Sequence, residues 1–372
     1  MRSDQPIKSM TKKLQAPPEV VAQFDHWQLP IRGNANPENQ TNAVWSWLIQ
    51  TQAWPHAAHK AAGSGEKRSP GWCFSRFGQS ETKLPDGTVV YIGGEHEDHY
   101  DPDFYIYNDV VVVGPDGTIE IFGYPTDIFP PTDFHSATLL ENEILIIGGL
   151  RHPDDRDLSE TLVFRLRLSD FSMHRVVTHG DAPPWLYEHQ AELDPQGQKI
   201  LCSGGQVTHH PTERTVENLT TWEFDLVSKS WSVLDIKPFQ RWLLVRENEG
   251  YNDLWGVKQV VRASRSTRER KLAARYQTKF EERGHIVDAE LFDARFTPPI
   301  PHSPIEPDQD SEGHSAHRIL VDDVIVRIEE DMHEIVVTVE GQLSSDLLKV
   351  LERHGLETYR ALEGVPYKSI HL

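Results

Sequence analysis

Cysteine is scarce: Cys73 and Cys202 are the two in 372 residues and could form at most one disulfide. That is too few for a disulfide-built secreted scaffold and fits a reducing compartment. Basic side chains are also in short supply, with 37 Lys and Arg against 57 Asp and Glu, a formal charge of −20. Such an acid excess repels phosphate backbones, which disfavours nucleic acid as a partner of the whole chain and favours a basic or neutral protein. No window approaches the ~18 apolar residues of a membrane span, and the N-terminal stretch holds no apolar run like a signal-peptide core. The expected location is therefore the cytoplasm, with no membrane association. Without a secretory signal, the glycosylation patterns at Asn39 and Asn218 carry no weight. Catalytic signatures are missing too: there is no G-x-S-x-G, H-E-x-x-H, phosphate loop or dinucleotide fingerprint.

What the chain does have is an internal repeat. The stretches 90-VYIGG-94, 144-ILIIGG-149 and 200-ILCSGG-205 each run an apolar strand into a glycine doublet, Gly93-Gly94, Gly148-Gly149 and Gly204-Gly205. The first glycines are 55 and 56 residues apart. Upstream of each doublet lies a polar start and a turn, Pro85-Asp86-Gly87, Glu141-Asn142-Glu143 and Pro195-Gln196-Gly197. Downstream come a polar loop and two further strand patterns, near 108–113 and 118–122, 159–164 and 171–176, and 218–224 and 229–234.

Four short strands at this period, with an apolar strand ending in Gly-Gly, resemble the kelch family over residues 75–237, a little under half the chain. The resemblance implies β-propeller blades, in which glycines let crowded strands turn and approach near the axis. Kelch blades usually carry an aromatic before the last strand and a Trp within it. Here only the third repeat has both, Trp222 and Trp231; Val112, Phe164, Ile119 and Met173 stand in the others. Three repeats are also fewer than the roughly four to eight of closed propellers. Either degenerate blades lie in the flanks, with 242–245 and 285–296 as candidates, or the array is open and capped. The expected fold class is mainly β: a kelch-like β-propeller, partial or irregular, with helical flanking segments and a small C-terminal α+β module. The resemblance also brings copper-dependent propeller oxidases to mind, which need a Cys linked to a Tyr. The sequence identifies no tyrosine partner for Cys73 or Cys202.

The flanks divide as follows. Residues 1–64 form an N-terminal extension in which Val44, Trp47, Leu48 and Ile49 make a helical face before Pro55, suited to cap an exposed blade. Residues 65–237 hold the blades, and 238–297 a degenerate blade or helical insertion. Within the latter, 258–283 carries nine Lys or Arg against three Glu, with Leu272, Tyr276 and Phe280 on one face. A solvated helix docked by that stripe is the first reading, contact with a polyanion the second. Residues 298–318, with five prolines from 298 to 307 and a run of acids, read as a linker. Residues 319–372 read as two strands (319–331, 333–341), a helix capped at Ser344 or Ser345 and ended by Gly355, and a last strand.

Repeat symmetry brings the loops after the doublets to one face, where His96, Asp98, His99, Asp101, His152, Asp154, Asp155, His209 and His210 are the candidate binding residues. Imidazole with carboxylate is a ligand set for divalent zinc, iron or manganese, and His96, His99, Asp154 and His209 are the candidate ligands. Solvated or partner-contacting loops are the first reading. His135, His189 and Gln79 hold equivalent places, which points to a structural hydrogen bond. The expectation is a non-enzymatic scaffold with no cofactor that captures a partner protein, for instance an inhibitor or immunity-type protein masking a basic one. The alternative is a metal-dependent small-molecule enzyme at the propeller mouth.

Overall fold

The computed structural model describes residues 14–64, 71–96, 104–156, 160–209, 214–265, 270–309 and 315–372. It divides into two units, Met1–Ile236 and Lys237–Leu372. The secondary structure is mainly β, in largely antiparallel sheets none of which closes on itself.

The first unit opens with α1 (Pro18–Trp27), the short strand β1 (Glu38–Asn39), α2 (Ala43–Thr51) and α3 (Pro55–Ala62). Asn42 caps α2 by accepting from the Trp45 amide, and Pro55 sits in the first turn of α3, where its missing N–H costs nothing. The first repeat contributes β2 (Ser80–Lys83), β3 (Val89–Ile92), the hairpin β4 (Glu95–His96) and β5 (Tyr105–Ile106), β6 (Val110–Val113) and β7 (Ile119–Gly123). The second contributes β8 (Ser136–Leu139), β9 (Glu143–Ile147), β10 (Val163–Arg167) and β11 (Met173–Arg175). The third has β12 (His179–Gly180), β13 (Trp185–Tyr187), β14 (Gln190–Leu193), β15 (Lys199–Ser203), the hairpin β16 (Gln206–His209) and β17 (Arg214–Glu217), β18 (Thr220–Asp225) and β19 (Ser230–Ile236). Each repeat therefore builds a four-stranded meander, and β1 and β12 add an outer strand to the first and third.

Strand alternation explains how the sheets stack. On one face of the first sheet Val90, Ile92, Val110 and Val112 pack against Ile144, Ile146, Phe164 and Leu166 of the second. On the other, Val111 and Ile121 pack with Val44, Trp45 and Leu48 of α2, so the helices cover that face. Along β15 of the third sheet Ile200 and Cys202 are buried, whereas Lys199, Leu201 and Ser203 are only half-buried. Lys199 is paired across that outer face with Glu223 at 2.7 Å. The array thus begins under helices and ends on a polar surface, as a finite stack must.

The doublets couple one repeat to the next. Gly94 N–H donates to Thr132 O (2.8 Å) and Gly149 N–H to Leu186 O (3.0 Å), three residues ahead of His135 and His189. At Gly93 and Gly148 a Cβ would lie 2.3 and 2.1 Å from those same carbonyls, so both the left-handed backbone and the close approach demand glycine. At Gly204 nothing lies within 4 Å, because no further repeat follows. The residues before the histidines, Phe134 and Glu188, are left-handed like Gly78, and their amides bond in series: Glu188 N–H to Phe134 O, Phe134 N–H to Gly78 O, each 2.8 Å.

In the second unit β20 (Gln240–Arg246) is followed by α4 (Leu254–Arg265), α5 (Arg270–Glu282) and α6 (Ala289–Ala294). Then come β21 (Ser303–Gln309), β22 (Ser315–Val321), β23 (Val324–Glu330), β24 (Ile335–Val339), α7 (Ser345–Glu363) and β25 (Tyr367–His371). The sheet order is β21-β22-β23-β24-β20-β25, all antiparallel. Several expectations are corrected here. Residues 242–245 are not the remnant of a further repeat: β20 lies inside this sheet, and its run of buried apolar residues is what a strand covered on both faces needs. The 285–296 stretch is no strand, because Asp288 accepts from the Glu290 and Leu291 amides and starts α6. The segment expected as a linker, 298–318, includes all of β21 and the start of β22; its prolines fit an edge strand, which pairs on one side only. The expected strand 319–331 is a hairpin turning at Asp322 and Asp323, both left-handed. Gly355 does not end α7, which runs on to a left-handed Gly364; a Cβ at Gly355 would lie 2.6 Å from Leu244, so this glycine lets the helix approach β20.

Candidate functional site

The segments after the first two doublets meet. Phe77 pairs with Glu95 in an isolated bridge, and Glu95 and His96 pair with Ile106 and Tyr105, so the first loop leaves and returns through one short hairpin. The Phe104 ring at its end lies 6.4 Å from the imidazole of His152 in the second loop. The second loop is fixed by Leu150 N–H donating to Asp133 O (2.9 Å) and Arg151 N–H to Asp133 Oδ1 (2.6 Å). The third forms β16 and β17, with β16 paired to β13.

Of the candidate residues, His96 is buried rather than solvated, with the Trp54 ring 5.7 Å away. His152 and Asp154 are exposed and 3.7 Å apart, and Asp155 is exposed beside them. His209 ends β16. Asp98, His99, Asp101 and His210 lie outside the described residues. Among the described residues no three His, Cys, Asp or Glu side chains converge as a metal site. Of the four candidate metal ligands, His96 and Asp154 differ in kind: one is enclosed beside Trp54, the other is 91 % exposed.

Beneath the loops lies a buried charged group that the sequence reading missed: Glu95, Asp133 and Arg151. Burial pushes the Asp133 carboxyl above its ordinary range, an effect opposed by hydrogen bonds from the Arg151 amide and with Glu95. Burial lowers the Arg151 guanidinium to about 10, against the pull of Asp133. Its cation sits 5.4 Å from the Trp185 ring. Asp133 precedes the left-handed residue of its repeat, as Phe77 and Tyr187 do in theirs, but with Phe and Tyr at the equivalent places the repeat gives no sequence signal for the charged group. Three exposed aromatics surround the same hairpin, Trp54, Phe77 and Phe104, at 44, 53 and 43 % exposure.

Cys73 does have a tyrosine neighbour, contrary to the sequence reading. Its Sγ is 3.8 Å from Tyr107 Oη, whose hydroxyl donates to Gly71 O at 3.0 Å. The Arg76 guanidinium lies 3.4 Å over the Tyr107 ring and is paired with Asp109, which also accepts from Trp72 Nε1 at 2.9 Å. Burial pushes the Cys73 thiol up to about 11, so it is protonated and inert near neutrality. This network ties the first sheet to its helical cover.

Comparison with protein-family models and with curated proteins gives no match for this chain. Among the described residues no helix is long and apolar enough to cross a membrane.

Proposed function

We propose that the chain is a non-enzymatic binding protein whose first unit is a partial, kelch-like propeller and whose post-doublet face captures a partner protein. The observation that carries this reading is the grouping of Trp54, Phe77 and Phe104 about the β4–β5 hairpin. Exposed aromatics cost solvation unless something covers them, and such residues are the usual anchors of protein interfaces. The buried Glu95, Asp133 and Arg151 give that surface a fixed base, which lowers the ordering cost of association. Exposed Asp154 and Asp155, with the net acid excess of the chain, would steer a basic partner, consistent with an inhibitor or immunity-type role.

The test is capture of partners from a lysate on immobilised wild-type protein and on a Trp54→Ser, Phe104→Asp variant. A protein retained by the first and lost from the second supports the reading. Identical retention by both overturns it.

A further inference from the structure

The second unit holds a basic island that the binding face does not use. In α4 and α5 the described residues include seven Lys or Arg and two carboxylates, Glu281 and Glu282. Three cations are matched from neighbouring segments: Arg265 by Asp293 (2.5 Å), Lys279 by Asp253 (2.5 Å) and Arg283, just past α5, by Asp253 (2.8 Å). Lys258, Arg262, Lys271 and Arg275 are exposed and have no carboxylate partner among the described residues. They fall as two i, i+4 pairs of like charge, an arrangement that weakens a helix unless an anion is supplied.

The helix hairpin sets these cations side by side. Asp253, just before α4, pairs with Lys279 and Arg283 late in and beyond α5, so the helices run antiparallel. A Cβ on Gly256 would lie 2.5 Å from the Tyr276 ring, which fixes the register. Counting along the antiparallel pair from that contact places Lys258 opposite residue 274 and Arg262 opposite residue 270, each within one residue of a cation of α5, Arg275 and Lys271. Trp255 precedes Lys258 by one turn on the same stripe; it is 51 % exposed and meets the Tyr276 ring edge-on at 5.2 Å.

We infer that this hairpin is a docking surface for single-stranded nucleic acid. Two rungs of cations follow a phosphate backbone, and a half-exposed indole at their end offers a face on which an unpaired base stacks. Bases within a duplex are already stacked and cannot use it. A membrane is a poorer fit: Leu254, Val257, Val261 and Phe280, the apolar residues an interfacial helix would insert, are buried in the core of the unit. The overall acidity of the chain opposes non-specific binding and confines contact to this island.

The test is fluorescence anisotropy of a labelled single-stranded 20-mer with the full chain, titrated with NaCl. Saturable binding is expected at 50 mM salt, weakening roughly 50-fold by 200 mM if four phosphates are contacted. Combined Lys258→Gln, Arg262→Gln, Lys271→Gln and Arg275→Gln substitutions, checked for an unchanged helix signal and Tm, should remove that binding. Trp255→Ala alone should weaken it roughly tenfold. Absence of binding at 50 mM salt, or binding indifferent to the four substitutions, overturns the inference. So does tighter binding to a duplex of the same length, to vesicles containing phosphatidylserine, or to polyglutamate of matched charge.

Discussion

Nε2 of His135 lies 2.9 Å from the hydroxyl of Ser80, one repeat earlier, and Nε2 of His189 stands in the same relation to Ser136 at 2.8 Å. The repeat of the bond explains the repeat of the histidine. Both rings are buried, and burial lowers their protonation to about pH 3 for His135 and about pH 4 for His189.

Acid should therefore loosen the first unit before ordinary carboxylate titration begins. Unfolded histidine takes up its proton near pH 6.5 whereas the folded rings resist it, so their stabilising effect is complete above 6.5 and is lost as pH falls below that value. At pH 5 each ring should cost about 2 kcal/mol relative to pH 7.5. Urea denaturation of the wild type and of a His135→Gln, His189→Gln variant measures it. The wild type should lose stability between pH 7.5 and 5, and the variant should lose distinctly less over the same interval.

The doublets predict a gradient of tolerance along the chain. Gly148→Ala places a Cβ 2.1 Å from Leu186 O on a left-handed backbone, so both strain and a forced shift of the third repeat apply. About 3 kcal/mol of destabilisation is expected. Gly204→Ala meets the backbone penalty alone, about 1 kcal/mol, because nothing lies within 4 Å. Thermal unfolding of the two variants should rank them in that order; equal losses would contradict the view that the third repeat is the last.

Much of the first unit was legible in its sequence because the same steric demand recurs. The strand positions follow from the doublets, and the equivalence of His135 and His189 from their place in the repeat. The proposed binding face was legible only in outline. His96 looked like a solvated loop residue, yet Trp54, distant in sequence, encloses it. Asp133 and Arg151 carry no motif, since their pairing depends on a backbone amide meeting a side chain across 18 residues. The second unit was misread where proline was taken to exclude a strand. Pro304 sits in β21 because an edge needs no donor on its open side. Gly355 was misread for a related reason: a glycine that ends a helix and one that admits a neighbouring strand look alike in sequence.

In the second unit Glu363 is fully buried and pairs with Arg246, whose guanidinium also contacts Asp253 at 3.1 Å. Burial raises the Glu363 carboxyl, and the nearby Arg246 opposes that effect. Glu363→Ala leaves a buried guanidinium with part of its compensation gone and removes the acceptor of the Asp253 amide. About 3 kcal/mol or more of destabilisation is expected. Glu363→Gln keeps the shape and should recover part of it. Calorimetry of the full chain should show the loss in one transition only if the two units unfold separately.

The aromatic grouping gives the last expectation. Phe104 is 43 % exposed and makes ring contact only with His152 among the described residues, so Phe104→Asp should leave Tm within about 1 °C of the wild type. Its effect should fall on association instead. If Phe104 is an anchor, removing it costs at least 2 kcal/mol, a roughly thirtyfold weaker Kd for the partner. His152→Ala tests the neighbour: it should weaken binding far less, since an exposed rim residue contributes little once the anchor is seated. Titration calorimetry of both variants with the captured partner separates the two. A Phe104→Asp variant that binds like the wild type would place the contact elsewhere on the chain.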